Sequence, residues 1–169
     1  MKTTLLIAAS AIVAGCASVY SGPIAEATLA PTRGNSASGM VTFAARGDKV
    51  QVSARVSGLT PGGHGFHIHE KGDCSAPDAT SAGGHFNPGG QPHGHPDQGP
   101  HHAGDMPMLV ADGYGNATLS AELASVSLGE GANGIIGKAV VVHAAPDDFK
   151  TQPTGNSGAR VACGVITRR

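Results

Sequence analysis

The sequence is poor in aromatic and charged residues. None of its 169 residues is tryptophan, and Phe, Trp and Tyr together make up 4% of the chain. Asp, Glu, Lys and Arg make up 14%, with a formal net charge of −1. Nucleic-acid binding is therefore not expected, because it needs an excess of basic side chains that neutralises phosphates.

The chain also lacks helical periodicity, whereas glycine and proline are abundant, at 26 and 11 residues. Short apolar runs alternate with segments rich in these two residues. This pattern predicts many short strands joined by turns and loops, not long helices. The length is that of one domain.

Eight runs have the length and composition of strands. They are residues 24–32, 39–45, 49–57, 65–70, 108–111, 117–123, 135–142 and 160–166. In the third run Val50, Val52, Ala54 and Val56 alternate with polar residues, which indicates one buried and one solvated face. We predict an all-β, Greek-key sandwich or barrel of about eight antiparallel strands, with a long loop at residues 71–107.

The first residues have the form of a signal peptide. Lys2 precedes an uncharged apolar run that is too short to span a bilayer. The run ends in VAGC, which resembles the lipobox of bacterial lipoproteins, with Cys16 as the lipidated residue. We therefore expect a signal peptide at 1–15, a lipidated tether at 16–22 and a domain at 23–169. Cleavage at an ordinary site near residues 17–21 is the alternative.

The number of cysteines is odd, at three. If Cys16 carries lipid, Cys74 and Cys163 remain as a possible disulfide pair in an oxidising compartment. The alternative is two free buried thiols.

Nine histidines are the compositional oddity. Alternation along a strand places His67 and His69 on one face, where both imidazoles can reach one metal ion. The long loop adds three imidazoles and a carboxylate, a set that suits tetrahedral zinc, namely His85, His93, His102 and Asp105. A flexible histidine-rich tract that chelates metals loosely is the alternative, and His95 and His101 compete as ligands.

Five motifs in order carry a resemblance to a known family. They are GFHIHEKGDC, SAGGHFNP, HHAGD, VVHAAPDD and GNSGARVACGVI. From residue 24 to residue 166 the chain resembles the copper,zinc superoxide dismutases, in their bacterial exported form. The resemblance implies conversion of superoxide to dioxygen and hydrogen peroxide, by alternating reduction and reoxidation of a copper ion that a histidine imidazolate bridges to zinc.

The resemblance also implies a ligand set for one copper and one zinc ion. The expected copper ligands are His67, His69, His85 and His143. The expected zinc ligands are His85, His93, His102 and Asp105. His85 is thus the shared and catalytic ring, and His64, His95 and His101 remain as bystanders.

Further roles follow from the same motifs. Cys74 and Cys163 match the disulfide of the family, and Asp147 matches the carboxylate that bonds ligands of both metals. Arg160 matches the arginine beside copper that attracts the superoxide anion. Residues 149–154 lack the acidic pair and the lysine by which eukaryotic members steer the substrate. Lys150 and Lys71 are the candidates for this role, and the sequence does not decide between them.

Two rival functions remain open at this point. One is a non-catalytic copper- and zinc-binding envelope lipoprotein, and the other is a structural or adhesive β-sandwich with incidental histidines. For either the lipoprotein or the enzyme we expect a periplasmic location with a lipid anchor in the outer membrane. The sequence is compatible with a homodimer but does not specify one.

Overall fold

The computed structural model describes residues 24–169. The predicted signal peptide, the lipidated Cys16 and the tether lie outside the described residues. Within residues 24–169, no helix combines the length and the apolar character needed to cross a membrane.

In the described part of the chain, the fold consists of ten antiparallel strands and one turn of 3-10 helix at Thr80–Ala82. The strands are β1 (Ile24–Pro31), β2 (Ser38–Arg46), β3 (Lys49–Ser57), β4 (Gly62–His64), β5 (Phe66–His69), β6 (Leu109–Ala111), β7 (Ala117–Leu123), β8 (Ala139–His143), β9 (Arg160–Val165) and β10 (Thr167–Arg168). The predicted all-β class is confirmed.

Eight of the strands form one curled sheet in the order β5-β8-β9-β1-β2-β3-β7, with β10 paired to β1. The other two, β4 and β6, pair with each other. Neighbours such as β5 and β8, or β3 and β7, are distant in sequence, as the crossovers of a Greek-key fold require.

The core lies inside the curled sheet. Along β3 the predicted alternation is observed, with Val50, Val52, Ala54 and Val56 buried and the residues between them turned outward. Phe43 and other branched or aromatic side chains complete this interior. Burying one such side chain contributes about 1.5–3 kcal/mol, so these residues stabilise the fold.

Strands β8 and β4 differ from the prediction. The predicted strand 135–142 begins only at Ala139, because Gly137 has φ 78° and the N–H of Lys138 donates to the Ile135 oxygen, closing a turn. Strand β4 forms between the predicted strands 49–57 and 65–70, where no strand was predicted. Its two glycines give no apolar alternation, and its backbone pairs with β6.

The long predicted loop is ordered along the free edge of β5. Ile68 donates its N–H to the Gly104 oxygen, and Phe86 donates to the Ile68 oxygen, each at 2.8 Å. The N–H of Gly104 in turn donates to the Phe86 oxygen. Two strand-like turns of the loop therefore lie beside β5, and they bring His85 and Asp105 alongside the histidines of that strand.

Candidate metal centre

Two groups of buried side chains meet at one ring. The first cluster comprises His67, His69, His85 and His143. The second cluster comprises His85, His93, His102 and Asp105. In each group one potential ligand atom per residue lies within 4.8 Å of all the others, so each group could hold one metal ion.

The ring of His85 separates the two clusters. Its Nδ1 is 2.9 Å from Asp105 Oδ1 and 3.3 Å from His102 Nδ1, which assigns this nitrogen to the second cluster. Its Nε2, on the other side of the ring, is buried and has no hydrogen-bond partner among the described residues. One imidazole thus presents one nitrogen to each cluster.

Other ring nitrogens of the two clusters also lack an ordinary hydrogen-bond partner. Nε2 of His143 and Nε2 of His69 are 3.4 Å apart. Within residues 24–169, His67 Nδ1 is buried without a hydrogen bond, and His93 Nδ1 faces Asp105 Oδ2 at 3.0 Å. A buried polar atom left unpaired costs about 1–3 kcal/mol, and a cation between these lone pairs removes that cost. The residues therefore fit two metal ions.

The outward nitrogens of the first cluster are fixed by backbone carbonyls. His69 Nδ1 lies 2.9 Å from the Gly83 oxygen, and His143 Nδ1 lies 3.1 Å from the Gly158 oxygen. A carbonyl accepts only, so each Nδ1 carries the proton and each Nε2 offers a lone pair. The loops thereby set both the tautomer and the orientation of the rings.

Asp147 links the two clusters from behind. Its Oδ2 accepts from His67 Nε2 at 2.6 Å, and its Oδ1 accepts from His93 Nε2 at 2.9 Å. Burial would raise the pKa of the Asp147 carboxyl, but the bonds from the two histidines hold it well below its usual value. Gly155 backs this contact with φ 66°, and a Cβ there would lie only 2.6 Å from His93 Nε2.

Burial sets the charge of the rings in the first cluster. It lowers the pKa of His85 to about 4 and that of His143 to about 3. Both rings are therefore neutral at pH 7 and can coordinate a metal without losing a cationic proton.

The balance is reversed at His93. Burial would lower the pKa of this ring, but its bonds to Asp105 and Asp147 outweigh that effect and raise the pKa to about 9. With no metal bound, both ring nitrogens of His93 carry a proton at neutral pH, and the ring is positively charged. A cation in the second cluster takes the place of one of these protons.

Arg160 lies beside the first cluster. Its guanidinium donates to the Ala79 oxygen at 2.5 Å and to the Gly83 oxygen at 2.6 Å. The same Gly83 oxygen accepts from His69, so one carbonyl separates the positive charge from a ring of the cluster. The predicted disulfide Cys74–Cys163 is formed, and it ties the segment that carries these carbonyls to β9.

The remaining histidines lie outside both clusters. His101 contacts Ser125 Oγ at 3.2 Å, and the ring of His95 packs against Phe149. His64 also lies outside both clusters, but it is buried, and its ring nitrogens contact the oxygens of His143 and Thr60 at 2.7 and 2.8 Å. It connects β4 to the backbone of a residue of the first cluster.

Gln152 was not singled out from the sequence. Its side-chain amide accepts from the His93 N–H at 2.8 Å and donates to the His93 oxygen at 2.9 Å. This reciprocal pair fastens the loop after β8 to a residue of the second cluster. No sequence pattern reveals it, because both partners of the amide are backbone atoms 59 residues away.

Comparison with known proteins decides the family. A model of the family described as copper/zinc superoxide dismutase (SODC) matches residues 37–166. The chain belongs to this family. It is therefore a superoxide dismutase that uses copper and zinc, as the resemblance implied.

Relatives from distant organisms agree. The chain is 44% identical over 135 residues to Cu-Zn superoxide dismutase 2 of Brassica juncea, covering 76% of this chain and 88% of the relative. It is 44% identical over 124 residues to Cu-Zn superoxide dismutase 2 of Aquifex aeolicus, covering 69% and 71%. It is 40% identical over 141 residues to the Cu-Zn superoxide dismutase of Deinococcus radiodurans, covering 76% of each chain.

A solved structure shares the fold. The crystal structure of the clock protein EA4 superposes with a TM-score of 0.78 at 41% identity, covering 86% of this chain and 94% of that one.

Replacing Gln152 with Ala should weaken metal binding in the second cluster. The change removes two hydrogen bonds that hold His93, and losing such outer partners costs about 10–100-fold in metal affinity. Competition for zinc against a chromogenic chelator measures the loss. The matched control is Gln91→Ala, whose amide donates to Gly89 within the same turn. Equal zinc retention in both variants would contradict a supporting role for Gln152.

Proposed function

We propose that this superoxide dismutase holds copper in the first cluster and zinc in the second. The observation that carries the assignment is the ring of His85, which presents one nitrogen to each cluster. A four-imidazole site suits copper, whereas three imidazoles and a carboxylate suit tetrahedral zinc.

The reaction consumes two superoxide anions and two protons, and it yields dioxygen and hydrogen peroxide. When bound, copper supplies reversible one-electron transfer, and zinc holds its side of the shared ring. A neutral His85 can carry its single proton on Nε2 while Nδ1 faces the second cluster. We propose that His85 delivers this proton into the first cluster, where the substrate is reduced.

Arg160 prepares the site for a small anion. Its charge cannot be titrated away at physiological pH, and its two carbonyl contacts hold the guanidinium beside His69. A positive charge fixed at a concave site raises the rate of encounter with an anion, in a salt-dependent way. Lys71 lines a cavity that reaches His85, together with Lys138, and we propose that it contributes to steering the substrate.

Replacing His143 with Ala should abolish copper binding and turnover while zinc is retained. His143 belongs to the first cluster only, so the second cluster keeps all its ligand atoms. Metal analysis of the purified protein and an assay of superoxide consumption measure the two effects. Full turnover in the copper-loaded variant would refute the assignment.

The matched control for this variant is His101→Ala. It removes an imidazole of the long loop that lies outside both clusters, so both metals and turnover should remain. Tight binding of both metals by the unaltered protein without any turnover would favour the non-catalytic lipoprotein instead.

Replacing Arg160 with Ala should leave both metals bound but slow turnover by about 10-fold or more. The remaining rate should also depend less on ionic strength, because the fixed charge that attracts the anion is gone. Arg160→Lys keeps the charge without the two-carbonyl fork, and it should retain part of the salt dependence. A salt profile for the Ala variant that matches the unaltered enzyme would remove Arg160 from this role.

We further propose that the protein is of the bacterial exported type and works in the periplasm, anchored to the outer membrane through Cys16. The lipobox-like VAGC sequence supports this location, and lipidation would leave Cys74 and Cys163 to form the single disulfide. The homodimer considered from the sequence stays a prediction.

Replacing Cys16 with Ser should move the enzyme from the membrane to the soluble fraction. We expect acyl chains on the Cys16 sulfur to attach the protein to the membrane, and serine has no sulfur to carry this lipid. Cell fractionation with metabolic labelling by a fatty acid measures the change. Labelling that persists in the Ser variant would place the acyl group elsewhere.

A further inference from the structure

Met108 is joined to the residue that links the two clusters. The backbone N–H of Asp147 donates to Met108 Sδ at 3.2 Å. Met108 lies just before β6 and is half-buried, so solvent reaches part of its side chain. A thioether is thus the acceptor that fixes the backbone of the carboxylate shared by His67 and His93.

The sulfur has little spare room on its inner side. A Cβ built on Gly63 would lie 3.3 Å from Met108 Sδ and 3.4 Å from Pro146 Cβ. The sulfur therefore lies close to Gly63 of β4 and to the segment that leads into Asp147. An oxygen added to the sulfur on this side would press against one of these neighbours.

We propose that Met108 is a modification site, oxidised to the sulfoxide by hydrogen peroxide, and that this oxidation loosens the second cluster. In the reaction a sulfur lone pair attacks one peroxide oxygen and the O–O bond breaks. The sulfur is oxidised as it gains that oxygen, and the other oxygen leaves as water with both protons. The natural oxidant rests on the proposed function, because hydrogen peroxide is a product of superoxide dismutation.

The sulfoxide changes the contact with Asp147. Its oxygen is a stronger acceptor than a thioether sulfur, and it stands one bond length away from the sulfur position to which Asp147 now donates. The N–H of Asp147 must then follow this oxygen or lose its acceptor. Either movement pulls the carboxylate away from His93, whose orientation it fixes in the second cluster.

Two other methionines provide matched controls. Met40 is 41% exposed on the outer face of β2, where it lines a shallow groove with Thr42 and Arg55. It should oxidise readily without any effect on the clusters. Met106 is only 1% exposed and should be protected in the folded protein.

The test treats the copper- and zinc-loaded protein with added hydrogen peroxide. Peptide mass spectrometry follows oxidation at each methionine, and a chromogenic chelator follows the rate of zinc release. The unaltered protein and Met40→Leu should gain an oxygen at Met108 and release zinc about 10-fold faster after treatment. In Met108→Leu, peroxide should leave the rate of zinc release unchanged.

A second variant needs no oxidant. Met108→Gln places a polar oxygen at a similar distance from the backbone as the sulfoxide does, and it should release zinc as fast as the oxidised protein. The proposal is overturned if Met108 stays unmodified while Met40 is oxidised. It is equally overturned if Met108→Leu loses zinc on treatment as the unaltered protein does, which would assign the loss to damage at the copper ligands.

Because the peroxide is added, this outcome is independent of turnover. Superoxide consumption, assayed separately, tests the proposed function. A negative result for Met108 oxidation would therefore not affect the proposed function, and a negative result for superoxide consumption would not affect the proposal for Met108.

Discussion

The free edge of β5 is the constraint on which both the fold and the metal centre depend. An unpaired edge exposes backbone donors and acceptors, and here the long loop satisfies them with the bonds of Ile68, Phe86 and Gly104. The loop has few apolar side chains, so it gains little from the core. It is held by this short ladder on one side and by the side chains of the two clusters on the other. The geometry of the ligands therefore depends directly on the conformation of the loop.

Charge is divided unequally between the two halves of the centre. The first cluster contains only imidazoles, whose burial keeps them neutral at pH 7. The second contains the carboxylate of Asp105, and Asp147 stands behind both. Negative charge is thus concentrated at the second cluster, for which we propose zinc. The first cluster, for which we propose copper and the anionic substrate, is bordered by Arg160 instead.

The sequence was informative wherever a residue's role depends on local pattern. Strand alternation alone placed His67 and His69 on one face, and β3 was recognisable from its buried valines. The loop ligands were a different case, since His85 and Asp105 are 20 residues apart and composition left a flexible chelating tract possible. The ordered motifs of the family were needed to choose among the histidines of that loop.

The contacts that escaped prediction involve backbone atoms that are remote in sequence. Gln152 bonds the main chain of His93, His64 bonds the main chain of His143, and Met108 accepts from the main chain of Asp147. The identity of a side chain does not indicate which remote main-chain atom it will bond. The supporting structure behind a metal centre is therefore harder to infer from one sequence than the ligands themselves.

The carbonyl of Gly83 accepts from both His69 and Arg160, and it belongs to a segment that the Cys74–Cys163 bond clamps to β9. A chain with both thiols reduced has its histidines but lacks this clamp. The position of Arg160 beside His69 therefore depends on a closed cystine, so the disulfide connects the redox state of the surroundings to the positive charge at the site.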